Sequence, residues 1–149
     1  MNNNALITMK SKQDIEGEED LIEVTTVGNY SKKGNKFYVT YEGSEISGYD
    51  GSKTTIKINN TDNSLMLLRR GSTTTQMFFE RGNKYTGLYN TPFGVLTVDV
   101  STKDLKIDVG EDGGEVSLDY FVGINNEFPV RNSLYMQIKK SGGTADDSI

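Results

Sequence analysis

This chain of 149 residues carries 16 basic and 21 acidic side chains, a formal charge of −5, and its cations are scattered, so it lacks the phosphate-neutralising footprint of a nucleic-acid binder. It has no histidine and no cysteine, which removes Ser-His-Asp triads, Cys-His dyads, disulfides and the usual histidine-ligated metal centres. Absent cysteine fits a reducing compartment, and with neither a leader pattern nor an apolar run near the ~20 residues of a membrane span, a cytoplasmic protein without membrane partners is expected.

Residues 5–12 alternate, with Ala5, Ile7 and Met9 on one face, and predict a half-buried first strand. Residues 14–20 read as an acidic turn centred on Gly17. A second strand over 21–30 puts Ile22, Val24, Thr26, Gly28 and Tyr30 on one face, where Gly28 signals a bulge or a close backbone approach. After a turn at 31–35, Phe37, Val39 and Tyr41 share a face of residues 36–42. Residues 43–53 form a longer connection, with a short bulged strand expected at 45–47. Residues 54–59 then offer Ile56 and Ile58, and 60–63 turn the chain.

The pattern is densest from 65 to 100. It divides into extended segments at 65–70, 74–80, 85–90 and 95–100, punctuated at Arg70-Gly71, Arg81-Gly82-Asn83 and Thr91-Pro92-Phe93-Gly94. Gly71 and Gly82 can supply positive φ, while Pro92 presets the second position of a type I turn that Gly94 closes. Beyond it, Leu105, Ile107 and Val109 face opposite Asp104, Lys106 and Asp108, a strand with one wet face. A glycine-rich tip at 110–114 returns the chain into 115–124, with Val116, Leu118, Tyr120 and Val122 on one side. A turn near 125–129 precedes the last strand, where Leu134, Met136 and Ile138 alternate with polar neighbours.

No window sustains the helical period, so an all-β fold with little or no helix is predicted: a single antiparallel up-and-down barrel over 1–140, with a disordered tail at 141–149. Eleven strand-like segments can be counted, but antiparallel closure of such a barrel needs an even number. Either one segment continues its neighbour or the closure is not a simple meander. Eight to ten strands are expected, enough for interior side chains or one small ligand.

Candidate chemistry is sparse, and with no convergent cluster the chain reads more readily as a binding protein than an enzyme. Glu42 with Glu80 or Asp99 could serve as paired carboxylates, although nothing fixes their separation and solvated outward positions explain them as well. The loop from Asp108 to Asp112 resembles an oxygen-ligand site but lacks its middle and distal acids, so no metal and no cofactor are assigned. Arg69 follows Leu65 and Leu67 at period two and should point inward, where a guanidinium needs partners. Glu42, Tyr41 and Tyr89 are the candidates. Arg69 then either anchors a ligand carboxylate or phosphate at the barrel mouth or closes the rim as a salt bridge. Met66, Leu68, Val27, Tyr38, Phe78, Leu88, Phe121 and Tyr135 fall on the outer wall, which makes a homodimer through that wall one expectation.

Several of these residues carry a resemblance. Ile7-Thr8-Met9-Lys10-Ser11, Leu21-Ile22-Glu23-Val24 through Gly28-x-Tyr30, Tyr41-Glu42, Arg69-x-Gly71, Phe79 before Gly82, and Tyr89-x-Thr91-Pro92-Phe93-Gly94 are similar in order and spacing to the bacterial YwiB-like family. The likeness spans about 7–138. It implies a calycin-type, lipocalin-like barrel in a cytoplasmic bacterial setting and brings no activity with it. By analogy with calycins, it implies a small, partly apolar ligand inside the barrel. Phe37, Val39, Leu67, Met77, Phe79, Leu118, Tyr120 and Met136 would form the wall, and Arg69 and Tyr89 would fix a polar head. The competing expectation is a barrel filled by its own side chains, acting through its outer wall as an interaction or structural module.

Overall fold

The computed structural model describes residues 4–42, 52–71, 74–125 and 127–141. Ten strands follow one another with no helix among the described residues: β1 (Ala5–Ile15), β2 (Glu18–Lys33), β3 (Lys36–Glu42), β4 (Lys53–Asn59), β5 (Ser64–Arg70), β6 (Thr75–Glu80), β7 (Lys84–Thr91), β8 (Gly94–Gly110), β9 (Gly113–Ile124) and β10 (Val130–Lys140). They form one sheet in the order β6-β5-β4-β3-β2-β1-β10-β9-β8-β7. Each strand pairs antiparallel with its sequence neighbour except β6 with β7, and β1 pairs with β10 from Ala5↔Lys140 to Asp14↔Arg131. First and last strands are thus joined, and the ten strands make a nearly closed barrel with an even strand count.

One seam remains, between β6 and β7, where no ladder forms. Side chains and turn atoms bridge it. The Tyr89 hydroxyl donates to the Gln76 carbonyl at 2.7 Å, and the Glu80 N–H donates to Thr102 Oγ1 at 3.3 Å. Gly82 N–H reaches the Thr102 carbonyl at 3.0 Å, and the rings of Phe78 and Tyr85 stand 6.3 Å apart.

Eleven expected segments become ten because the two at 95–100 and 105–109 are one strand. Along β8 the inward set runs Val98, Val100, Thr102, then Leu105, Ile107, Val109, a change from even to odd numbers. Thr102 lies opposite Tyr120 and Asp104 opposite Asp119, so Lys103 is the extra residue of a bulge that absorbs the change of phase.

The acidic segment 14–20 is likewise a correction. Only Glu16 and Gly17 turn, with φ of 50° and 83°, and strands run to either side of them. Both faces of this hairpin end lie largely in water, so its sequence lacks the alternation that marks a half-buried strand. The tip at 110–114 also tightens to a turn at Glu111–Asp112. The strand expected at 45–47 and the tail from 142 onward lie outside the described residues.

The inward rows make one core. Ile7, Val39, Ile56, Ile58, Leu65, Phe79, Val100, Leu105, Val116, Met136 and Ile138 are all at most 2% exposed, and Met9, Leu67, Met77, Ile107 and Leu134 pack against them. Gly28 sits where β2 passes from pairing with β1 to pairing with β3. A Cβ there would overlap the Thr40 carbonyl oxygen and meet Ile7 Cδ1 at 2.8 Å, so the close approach expected at this glycine is real.

Candidate functional site

The residues singled out from sequence fall at four places. Arg69 does face inward: β5 pairs it with Thr54, which is 1% exposed, and its Nε donates to Thr54 Oγ1 at 3.0 Å. Tyr41, buried and opposite Thr54 on the next strand, stands on the same level of the barrel. These two and Thr54 form a polar step at one end of the core.

Glu42 is exposed at the end of β3, opposite Lys53 and on the face away from Tyr41. Tyr89 faces inward opposite Leu96, but its hydroxyl is held by the Gln76 carbonyl across the seam. Burial, with Tyr85 nearby, pushes the Tyr89 phenol up to about 12.

Phe37 and Phe79 lie four residues along their strands from that step, roughly 13 Å away. Phe37 stacks on Tyr30 at 5.6 Å, and Phe79 meets Tyr120 edge-on at 4.9 Å. They are packed core aromatics at another level, so the structure unites Arg69 with Tyr41 but separates both from the aromatic wall.

The carboxylate candidates stay on the outer wall. Glu80 accepts from the Asn83 side chain, and Asp99 accepts from Thr86 Oγ1 at 2.6 Å with Lys84 at 3.9 Å. Among the described residues, no group of three or more His, Cys, Asp or Glu side chains gathers to hold a metal ion.

Among the described residues, grooves open on the outer wall and at one end of the barrel. One of about 550 Å³ crosses the lower ends of β2, β1, β10, β9 and β8, lined by Lys10, Lys12, Asp119, Arg131 and Tyr135 among others. Its charges are largely matched. Lys12 meets Glu19 at 2.9 Å, Arg131 clamps Asp119 through two bonds of 2.8 and 3.2 Å, and Tyr135 donates to Glu115 at 2.8 Å. The carboxylates beside Arg131 and Tyr135 raise both groups above their usual ranges. Another groove, about 760 Å³, lies where β3 leaves β2, between Thr26 and Val27 on one side and Tyr41, Glu42 and Lys53 on the other.

A family model described as a domain of unknown function, DUF1934, matches residues 7–136. The chain is a DUF1934 protein. Its relatives include the "Uncharacterized beta-barrel protein YwiB" of Bacillus subtilis strain 168, 30% identical over 140 residues that cover 93% of this chain and 94% of that one. The crystal structure of the B. subtilis ywiB protein superposes with a TM-score of 0.74, covering 93% of this chain and 92% of that chain at 21% identity. The YwiB-like resemblance read from the turn and strand motifs is thus correct, and the all-β barrel of this DUF1934 member is shared with a solved structure. No helix of the described residues is long and apolar enough to cross a membrane.

Sequence reasoning passed over one feature of this surface. Residues 18–27 of β2 were split between a turn and a strand face, so the exposed strand edge they make together had no signal in the alternation.

Proposed function

We propose that this protein is a filled barrel that acts as a protein-interaction module through its outer wall. The observation that carries this reading is the continuous core. Rows that would line a cavity, from Ile7 and Val39 through Phe79 to Met136, are in contact with one another and almost wholly out of water. The groove lined by Lys10, Lys12 and Arg131 lies on the outer wall. The missing cysteines support a reducing, cytoplasmic setting.

A second reading keeps Arg69 as the anchor of a small acidic ligand, favoured by its inward direction beside Thr54 and Tyr41. Native mass spectrometry of protein purified without organic solvent decides between them. The filled barrel gives the polypeptide mass or its multiples, before and after soaking with organic acids. A discrete added mass lost on denaturation overturns the filled barrel, and an acidic identity for that mass assigns it to Arg69.

A further inference from the structure

β2 is paired with β1 from Glu18 to Gly28, but β3 covers its other side only from Gly28 to Lys33. Among the described residues nothing pairs with the other side of 18–27, which present an open strand edge. The direction of its polar groups follows from the hairpins. A two-residue turn closes on a pair that exchanges both backbone hydrogen bonds. Ile15↔Glu18 closes the turn at Glu16–Gly17, and Lys33↔Lys36 closes the turn at Gly34–Asn35. Even-numbered residues of β2 therefore bond to β1, and odd-numbered ones turn toward β3 or, before Gly28, toward solvent. The N–H and C=O groups of Glu19, Leu21, Glu23, Thr25 and Val27 all point out of the sheet along one line.

The side chains flanking this line are apolar and acidic. Leu21, Ile22 and Val27 are 68, 55 and 54% exposed. Glu18, Glu19, Asp20 and Glu23 are exposed as well, and among the described residues only Glu19 is held in an ion pair, with Lys12. At one end the edge runs into the 760 Å³ groove beside Val27.

We propose that this edge receives an extended, basic segment of another protein as an added antiparallel or parallel strand. This deepens the outer-wall reading and rests on it. Backbone bonds would supply the pairing, and alternate side chains would meet Leu21 and Val27 on one face and Ile22 and Val24 on the other. The charge pattern selects the occupant. A second copy pairing through the same edge would set eight carboxylates, four from each protomer, into one small interface, whereas Lys or Arg residues would be attracted to Glu18, Asp20 and Glu23.

The test uses the full chain labelled with ¹⁵N and a capped peptide of about eight residues, a usual strand length, alternating Lys and Val. Its counterpart alternates Glu and Val. The Lys peptide should produce saturable amide shifts and slowed exchange confined to 18–27, weakening as salt is added. Thr25→Pro removes an outward N–H without touching the β1 ladder and should weaken binding roughly tenfold or more, while Thr25→Val should bind as the parent does. Asp20→Lys with Glu23→Lys should reverse the preference to the Glu peptide. Equal binding of both peptides, binding that survives Thr25→Pro, or shifts outside 18–27 would overturn the proposal. So would concentration-dependent self-association abolished by Thr25→Pro, which would assign the edge to a second copy. A ligand mass found inside the barrel overturns the filled-barrel reading but leaves these shifts unaltered, so the two failures are distinguishable.

Discussion

Among the strand edges that neighbours leave in this sheet, two are treated in opposite ways. β8 loses β7 after Ser101, yet its exposed row of polar groups is covered piece by piece. Thr102 N–H bonds the Asn83 carbonyl at 3.1 Å, Asn63 Nδ2 donates to the Leu105 carbonyl at 3.2 Å, Asn60 Nδ2 to the Val109 carbonyl at 3.3 Å, and the Tyr30 hydroxyl to the Gly110 carbonyl at 2.6 Å. β2 loses β3 before Gly28, and across 18–27 no turn or side chain from another strand takes its place among the described residues. The difference follows from burial. Leu105, Ile107 and Val109 tie the β8 segment to the core, where an unpaired carbonyl costs free energy, whereas the β2 segment stands in water that can pair with it.

Breaking the covered edge should have the largest effect, and Tyr30 is its centre. The ring is 1% exposed and stacks on Phe37, and its hydroxyl caps the end of β8. Tyr30→Ala should lose about 3–5 kcal/mol in urea unfolding. Tyr30→Phe keeps the stack and isolates the hydroxyl's bond to the Gly110 carbonyl, so about 0.5–1.5 kcal/mol is expected.

The same phenol predicts an alkaline limb. Burial pushes Tyr30 from 10.0 up to about 12, because the folded state favours the neutral form. That contribution is complete below pH 10 and is lost as pH climbs through 12, and Tyr89, raised to a similar value, adds to it. Tyr30→Phe should flatten this loss without abolishing it; an unchanged slope would place the phenol in contact with water.

A smaller break lies at Asn63, whose backbone has φ of 53° and whose side chain caps Leu105. Asn63→Ala should cost about 1–2 kcal/mol, since it removes the cap and places a Cβ in the left-handed region. Asn63→Gly relieves the backbone but not the carbonyl, so a loss between those of the parent and the alanine variant separates the two causes.

How much of this was legible in the sequence depended on whether one face of a strand was wet. Phe37, Val39 and Tyr41, or Leu65, Leu67 and Arg69, alternate cleanly because one side meets the core, and there face and direction were read correctly, down to the inward guanidinium. The parity argument also worked, since an even closure required that one segment continue another. What the sequence could not show was which one: a bulge at Lys103 shifts the inward set by one residue, and such a shift looks the same as a turn between two strands. Residues 14–20 failed for the opposite reason, because a hairpin end wet on both faces has no period to read. The Arg69 end was half legible. Period two gives the direction of a side chain, but Tyr89 turning its hydroxyl to Gln76 depends on a seam that only the closed sheet creates.

The bare edge sharpens the comparison through an absence of effect. Leu21→Thr and Ile22→Thr each place a β-branched residue in an exposed strand and remove apolar surface that touches little of the fold. Stability should stay within about 0.5 kcal/mol of the parent. A loss above about 1.5 kcal/mol would mean that these side chains pack in solution and that the edge is covered after all. If stability holds, the apolar area at Leu21 and Ile22 does nothing for folding, while it still carries the solubility risk of an exposed strand edge. The acidic residues among them limit that risk by repelling like copies, and the same charges leave the edge open to a basic strand.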